Sequence, residues 1–220
     1  MGIISVNVEK EQFSEATKTL LSIISMGGSD EVAKLVQDGA DVNAIIREDE
    51  LWRGWTPLMI AAKSNGDPGV LQMLIAKGAD VNAANDSGWT PLMSAALTNA
   101  NPEVLNVLIA KGANVNAVDK YGMTPLMCAA SNNVNVNVLS ALISKGADVN
   151  TAVKSGGLFP GQTALMFAAW KNPNPDILWL LIARGADTII KDAAGKKAID
   201  YAEKNEALKD TRAYHLLQKK

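Results

Sequence analysis

The sequence predicts an all-α repeat solenoid of about six helix-loop-helix units. Lys-Gly-Ala recurs at residues 77–79, 111–113 and 145–147, and Arg-Gly-Ala follows at 184–186. Thr-Pro-Leu keeps the same spacing at 56–58, 90–92 and 124–126, and Thr-Ala-Leu follows at 163–165. Two independent markers at intervals of 34, 34 and 39 residues define an internal repeat. A period of this size indicates stacked supersecondary units rather than one closed core.

Each unit is predicted to contain a short helix, a tight loop and a second helix. In the unit that runs from residue 85 to 117, Thr90 can cap the first helix, and Asn101 can cap the second. A proline follows each cap, at the first helical position, where its missing N–H costs nothing. Gly112 can end the second helix in a left-handed conformation. Helices this short are not stable alone, so each must bury its apolar face on a neighbouring unit.

The residue pattern of this unit resembles the ankyrin repeat. Gly-Trp-Thr-Pro-Leu-Met-x-Ala-Ala stands at 88–96, and Val-Leu-x-x-Leu-Ile-Ala-Lys-Gly-Ala stands at 104–113. The resemblance covers residues 29 to 202 and implies β-hairpin finger loops between the helix pairs. Two departures from the family pattern leave the predicted fold unchanged. Methionine replaces the usual histidine after Thr-Pro-Leu, and the period is one residue longer than is common.

The whole chain, 1–220, is predicted to form a single domain. Its units are an N-terminal capping repeat at 1–43, internal repeats at 44–82, 83–116, 117–150 and 151–189, and a C-terminal capping repeat at 190–220. We expect helices at Gln12–Ile24 and Asp30–Gln37 in the first cap, and at Leu208–Gln218 in the last. The last cap is polar, as a surface that faces water must be.

Composition argues against several classes of function. The net charge is −2, from 21 basic and 23 acidic residues, so no nucleic-acid partner is expected. No stretch approaches 18 apolar residues, so no membrane span is expected. The single cysteine cannot form an intramolecular disulfide. A reducing compartment fits this composition, which favours the cytoplasm over secretion but leaves the localisation open.

The residues needed for catalysis or cofactor binding are missing. His215 is the only histidine, and Cys128 occupies a position that faces the core in the other repeats. The sequence has no Cys/His cluster for zinc and no glycine-rich phosphate loop. We therefore predict that the protein is not an enzyme and that it holds no cofactor and no metal.

Two intervals are longer than the rest because five residues are inserted before a turn glycine. The insertions fall at 46–53 and 153–160, and the family resemblance places both at finger tips on one edge of the molecule. They contain Leu51 and Trp52 in one case and Leu158 and Phe159 in the other. Loops tolerate changes in length, so neutral drift explains the insertions as well as function does. Their apolar content favours function.

Proteins of the ankyrin family generally hold partners with their finger tips and inner helices, and this resemblance selects ten residues here. The predicted contact residues are Trp52, Trp55, Trp89, Leu97, Tyr121, Met123, Leu158, Phe159, Gln162 and Trp170. Tryptophan and tyrosine carry much of the energy of protein interfaces. The alternative is that the aromatic residues pack on neighbouring fingers and brace the stack. Trp179, on an outer helix, is interpreted as a brace or as a self-association contact.

These observations predict a non-catalytic module that binds another protein through a concave groove and the finger loops. We expect it to be a monomer. The alternative function is the binding of a small molecule or nucleotide that stacks on a tryptophan beside a lysine. Trp89 with Lys120, or Trp55 with Lys63, is the candidate pair for that function.

Overall fold

The computed structural model describes residues 12–218. Twelve α-helices and one short 3-10 turn make up the regular structure of this part of the chain. The helices are α1 Glu15–Ile23, α2 Ser29–Gln37, α3 Pro57–Ser64, α4 Pro68–Ala76, α5 Pro91–Thr98, α6 Pro102–Ala110, α7 Pro125–Asn132, α8 Val136–Ser144, α9 Ala164–Lys171, α10 Pro175–Ala183, α11 Ala198–Ala202 and α12 Arg212–Gln218. The predicted all-helical repeat stack is confirmed.

The chain divides into two compact units. The N-terminal unit runs to Ala95 and includes Asn101–Asn114, and the C-terminal unit consists of Ala96–Ala100 and the chain from Val115 onward. In the N-terminal unit α1 packs on α3, and α2, α4 and α6 pack in succession. In the C-terminal unit α7, α9 and α11 pack in succession, as do α8, α10 and α12. In each unit, the first helices of successive repeats thus pack on one another, and so do the second helices.

The predicted caps start most of the helices. The Thr56, Thr90 and Thr124 hydroxyl oxygens accept hydrogen bonds from backbone amides three residues ahead, at 3.3 to 3.4 Å. Asn101 caps α6 in the same way, through the amide of Glu103 at 3.0 Å. Gly112 takes a φ of +94° at the end of that helix, as predicted. Local sequence chemistry therefore sets these boundaries.

Both terminal helices are shorter than predicted. Helix α1 begins at Glu15 instead of Gln12, because the Ser14 hydroxyl caps it by accepting from the amide of Thr17 at 3.2 Å. The last predicted helix, 208–218, splits into a 3-10 turn at Glu206–Leu208 and α12. Between them Asp210 has a φ of +60°, which breaks the helical path.

The finger loops are turns and do not form regular β-hairpins. In the described residues the only sheet-type pairing is one antiparallel bridge, between Ala152 and Thr163. The three-residue turns close on a side chain. The Asp119 carboxylate, for example, accepts from the amides of Tyr121 and Met123 at 2.8 Å. Asn85 and Asp192 hold the two equivalent turns. A side chain that closes its own turn removes the need for a strand ladder.

One set of asparagines ties each repeat to the next one. In each case the side-chain amide donates to a glycine carbonyl of the following repeat, and its oxygen accepts a backbone amide two residues beyond that glycine. For Asn43 the two distances are 2.8 Å, to the Gly78 carbonyl, and 3.1 Å, from the Asp80 amide. These residues, the forward asparagines, are Asn43, Asn82, Asn116 and Asn150.

A second set of asparagines reaches toward the preceding repeat. The Asn133 amide donates to the carbonyls of Ala96 and Asn99 at 3.0 and 2.9 Å, and its oxygen accepts from the Asn135 amide. These backward asparagines are Asn65, Asn133, Asn172 and Asn205. Each satisfies carbonyls at the end of a preceding helix, where intrahelical partners are missing. Buried polar groups with complete hydrogen bonding fix one register between neighbouring repeats.

Candidate binding surface

The first long finger, residues 46–53, is closed by two backbone hydrogen bonds. The Ile46 amide donates to the Trp55 carbonyl at 3.1 Å, and the Gly54 amide donates to the Ile46 carbonyl at 2.7 Å. Ile46 stands where the short turns have Asn or Asp, and its side chain is fully buried. At the tip the Asp49 carboxylate accepts the amides of Leu51 and Trp52 at 2.9 and 3.1 Å.

This closure folds one aromatic ring back and leaves one leucine outside. The Trp52 ring meets the Trp55 ring edge-on, with 4.8 Å between centroids. The Lys63 ammonium on α3 lies 5.2 Å from the Trp52 centroid and 5.6 Å from the Trp55 centroid. Both tryptophans are half-buried, whereas Leu51 at the tip is 86% exposed. The indoles brace the finger, and the leucine projects from it.

The second long finger, residues 153–160, has the same closure. The Val153 amide donates to the Gln162 carbonyl at 2.9 Å, and the Gly161 amide donates to the Val153 carbonyl at 2.7 Å. Its tip is held differently, because the Leu158 amide donates to the carbonyl of Tyr121 at 3.2 Å. Tyr121 belongs to the preceding short turn, so this finger is docked on its neighbour.

The second finger also folds back an aromatic ring. Phe159 lies edge-on to Phe167 and to Trp170, at centroid distances of 5.6 Å in both cases. Trp170 occupies the repeat position of Lys63, and the Lys171 ammonium lies 4.4 Å from its ring centroid. Leu158 projects with 64% of its surface exposed, at the repeat position of Leu51. The two insertions therefore share one arrangement of exposed leucine and folded-back aromatic ring.

A hydrogen-bond chain lies beneath the second finger. The Gln162 amide donates to the Tyr201 hydroxyl at 2.7 Å, and that hydroxyl donates to the Asp192 carboxylate. Burial, and then the hydrogen bond to Asp192, raises the pKa of Tyr201 to about 12. Burial alone would raise the pKa of Asp192, but the hydrogen bonds from Tyr201 and from the amides of Lys196 and Ala194 outweigh it and lower that pKa.

Gln162 was expected to be an exposed contact residue, but the structure buries it. Its side chain is only 6% exposed and is held by Tyr201, so it does not stand free on the inner face. Its Oε1 atom is buried without a hydrogen-bond partner. The sequence spacing could not indicate the partner of Gln162, because Tyr201 lies 39 residues further along the chain.

The other predicted contact residues are partly or well exposed. The Trp89 indole N–H donates to the Ser94 hydroxyl at 2.9 Å, and the ring is half-buried, as are Leu97 and Met123. Tyr121 is exposed, and the ammonium group of the adjacent Lys120 lies 5.3 Å from the centroid of the Tyr121 ring. Leu51 was noted as apolar content of the first insertion but was not among the ten predicted contact residues, and the structure leaves it exposed.

Trp179 is covered on one side. The Arg212 guanidinium of α12 lies 5.7 Å from the centroid of its ring, although the side chain stays 38% exposed. This contact favours the interpretation of Trp179 as a brace for the last helix.

The described residues contain little that could do chemistry. Cys128 is completely buried, and burial raises the pKa of its thiol far above the usual range, so the reactive thiolate is suppressed. Between residues 12 and 218 no group of three His, Cys, Asp or Glu side chains is placed to hold a metal ion. Within the same span no helix has the length and apolarity needed to cross a bilayer.

Comparison with known proteins matches short stretches of two curated relatives. A stretch of 56 residues, 26% of this chain, is 48% identical to a mitochondrial disaggregase of Bos taurus and covers 7% of that protein. A stretch of 73 residues, 33% of this chain, is 41% identical to a mitochondrial disaggregase of Homo sapiens and covers 10% of it. The chain thus spans a tenth or less of these relatives.

The family described as ankyrin repeats (3 copies) matches much more of the chain. Its matches run over residues 4–85, 58–153 and 98–192. They overlap into one continuous region that contains the forward asparagines, both long fingers and ten of the twelve helices. The chain belongs to the ankyrin-repeat family.

Proposed function

We propose that this protein is a non-catalytic module that binds another protein through its inner helices and finger loops. Ankyrin repeats generally mediate protein–protein interaction, and their domains are generally non-catalytic. The sequence predicts ten contact side chains, in a concave groove and on the finger loops. We propose both that this groove exists and that a partner protein binds in it.

The observation that carries the proposal is the pair of projecting leucines. Leu51 and Leu158 occupy equivalent positions in the two inserted fingers and are 86% and 64% exposed. Each tip is held by a hydrogen bond that the backbone amide of its own leucine donates. A large apolar side chain on an ordered loop gains free energy when a partner's pocket covers it, and ordering the loop beforehand lowers the entropy cost of binding.

Each unit contributes its own contact patch to the proposal. The patch of the N-terminal unit consists of Leu51, Trp52, Trp55 and Trp89. The patch of the C-terminal unit consists of Leu97, Tyr121, Met123, Leu158, Phe159 and Trp170. Neutral drift of loop length accounts for the insertions, but not for two exposed leucines at the same repeat position above a folded-back ring.

Site-specific photocrosslinking tests this assignment. A photoreactive amino acid at position 51 or 158 should capture the same partner from an extract of the source cell. The same group at Gln72 on α4 or Asn137 on α8, both exposed on the outer helices, should capture nothing in common with them. Equal capture from all four positions, or capture from the outer helices alone, contradicts the proposed surface.

Substitution of the leucines provides a second test of the same surface. Leu51→Asp with Leu158→Asp should abolish capture of that partner while the far-ultraviolet circular dichroism stays that of the wild type. A Trp55→Ala/Trp89→Ala variant separates bracing from contact. If it stays folded and retains every partner, those indoles only brace the stack.

One observation favours small-molecule binding as a second candidate function. Lys63 lies over both Trp52 and Trp55, which combines a cation with two aromatic rings. Titration of tryptophan fluorescence with a panel of nucleotides measures stacking on these rings. A flat response across the panel eliminates this candidate.

We also propose that the protein is a monomer. The contact of Arg212 with Trp179 supports a bracing role for the residue that otherwise suggested self-association. Light scattering during size-exclusion chromatography should give the mass of one chain, 23.3 kDa. A mass that rises with protein concentration would contradict the proposal.

A further inference from the structure

The series of forward asparagines is interrupted at residue 189. Ile189 occupies the position that Asn43, Asn82, Asn116 and Asn150 occupy in the earlier repeats. An isoleucine side chain can neither donate nor accept a hydrogen bond, so it cannot tie this repeat to another one. It is instead 64% exposed. The repeat at 151–189 therefore presents an apolar side chain where the earlier repeats present an amide.

Ile189 lies at the edge of a depression of about 700 Å³ in the C-terminal unit. Its apolar lining comes from Ile189, Ile199 and Leu217, and its charged lining comes from Lys191, Lys197 and Glu203. Leu217 is buried, Ile199 is half-buried and Ile189 is exposed, so apolar surface runs from the floor to the rim.

The two lysines of the depression also replace uncharged residues of the repeat. Lys197 stands where the preceding repeats have the capping residues Thr56, Thr90, Thr124 and Thr163. Lys191 stands where they have Ile45, Ala84, Val118 and Ala152. Three departures from the repeat pattern, one apolar and two cationic, thus line a single depression.

The charge of the last repeat is opposite to that of the rest of the chain. Residues 190–220 contain eight basic and five acidic residues, whereas the remaining sequence contains thirteen basic and eighteen acidic residues. The lining of the depression contains two lysines and one glutamate, and a lining with net positive charge attracts acidic partners and repels basic ones. Glu203 in the lining opposes a simple anion, so a ligand must also fill the apolar floor.

We infer that this depression binds an acidic peptide segment of another protein, one that carries aliphatic side chains between its carboxylates. The aliphatic side chains contact Ile189, Ile199 and Leu217. The carboxylates lie near the Lys191 and Lys197 ammonium groups. This surface is separate from the finger loops and inner helices, so it adds a second binding site to the proposed function.

The test uses the full chain and a fluorescein-labelled peptide that alternates leucine with paired glutamates. Two matched peptides serve as probes of the chemistry, one with lysine in place of glutamate and one with alanine in place of leucine. Fluorescence anisotropy should show saturable binding of the first peptide only. Raising the ionic strength should weaken that binding, because salt screens exposed charge pairs.

Two substitutions that restore the repeat's own residues locate the site. Ile189→Asn and Lys197→Thr introduce side chains that the same positions hold in the other repeats, so the fold should be kept. Together they should weaken binding of the acidic peptide by about tenfold or more. Val134→Ser removes another exposed apolar side chain (55% exposed, against 64% for Ile189) elsewhere in the C-terminal unit and should leave the affinity unchanged.

Several results would overturn the inference. Failure of the wild type to bind the acidic peptide removes the site. Equal binding of the acidic and lysine peptides would contradict the claim that the depression selects acidic segments. Unchanged affinity in the folded Ile189→Asn/Lys197→Thr variant places binding elsewhere. None of these outcomes bears on crosslinking at positions 51 and 158, so the proposed function stands or falls separately.

Discussion

The two long fingers have the same length and the same closure, but their tips are held in different ways. In the first finger the amide of Leu51 donates to the Asp49 carboxylate, within the loop itself. In the second finger the amide of Leu158 donates to the Tyr121 carbonyl, in the preceding turn. Gly157 precedes Leu158, whereas Glu50 precedes Leu51. One loop is held by its own side chain, and the other is held by a close approach to a neighbouring backbone.

The inner helices beneath the two fingers also differ in the residue that contacts the folded-back aromatic ring. Lys63 covers Trp52 in the first finger, and Trp170 packs on Phe159 in the second. A cation over a half-buried ring contributes less than a ring in a cluster of aromatic contacts. An insertion can thus be ordered locally or through tertiary packing, and the two fingers should respond differently to substitution.

The largest expected effect is that of Gly157→Ala. A Cβ atom at this position would lie 2.4 Å from Val153 Cγ1 and 2.5 Å from the Tyr121 carbonyl oxygen, so the second finger must leave its neighbour. We expect a loss of about 3 kcal/mol in the free energy of unfolding, measured by urea denaturation. Glu50→Ala is the matched control in the first finger and should cost less than about 0.5 kcal/mol. Equal losses would abolish the distinction between the fingers.

Trp170→Ala is expected to have the next largest effect. Its ring contacts Phe159 at 5.6 Å and Tyr201 at 6.2 Å, but part of it is exposed, so the cost should be about 2 kcal/mol. Lys63→Ala, at the equivalent position, should cost less than about 1 kcal/mol. Urea denaturation of both variants measures the difference, and a larger loss for Lys63→Ala would contradict the comparison.

Tyr201→Phe should cost about 1.5 kcal/mol, because Asp192 and Gln162 each lose a hydrogen-bond partner. The pKa of Tyr201 is raised to about 12, so its contribution to stability is full below the unfolded value of about 10 and is lost as pH rises through about 12. The pKa of Asp192 is lowered, so its contribution is present above about 3.9 and is lost as pH falls.

Melting temperatures measured between pH 8 and pH 12 check the alkaline part of this prediction. The wild type should lose stability over the range in which Tyr201 ionises, and Tyr201→Phe should lose less. In the turn that follows the first finger's repeat, Asn85 stands at the position of Asp192 and accepts from the Ser87 hydroxyl, so the same ionisation has no counterpart there. Parallel curves for the two proteins would refute the assignment.

The smallest expected effect is that of Asp49→Ala in the first finger. The carboxylate accepts two backbone amides at the tip, so its removal should cost about 1 kcal/mol locally. Hydrogen exchange of the Leu51 and Trp52 amides should accelerate, while exchange in the second finger should not change. Exchange that accelerates equally in both fingers would show that Asp49 does more than close its own loop.

Residues that act within a few positions of one another were predicted correctly from the sequence. Thr90, Asn101 and Gly112 start and end helices through contacts in their own turn, so their types and spacing were sufficient. The register of the repeat followed from the same markers. Cys128 was also placed correctly, because its repeat position fixes its burial.

Contacts between distant residues could not be predicted in the same way. The folded-back position of Phe159 depends on Phe167 and Trp170, which lie on α9. Gln162 is buried because Tyr201 reaches it from another repeat. The backward asparagines recur with the repeat period, and this signal was overlooked because asparagine in a helix-connecting loop is common for local reasons.

The forward asparagines have a consequence for how such a chain can change in length. The side-chain amide of each one bonds to backbone atoms of the adjoining repeat. Duplicating or excising residues 117–150 as a cassette would leave every remaining asparagine with an identical acceptor and donor. The fold should therefore tolerate the gain or loss of a whole repeat more readily than the gain or loss of single residues within a finger.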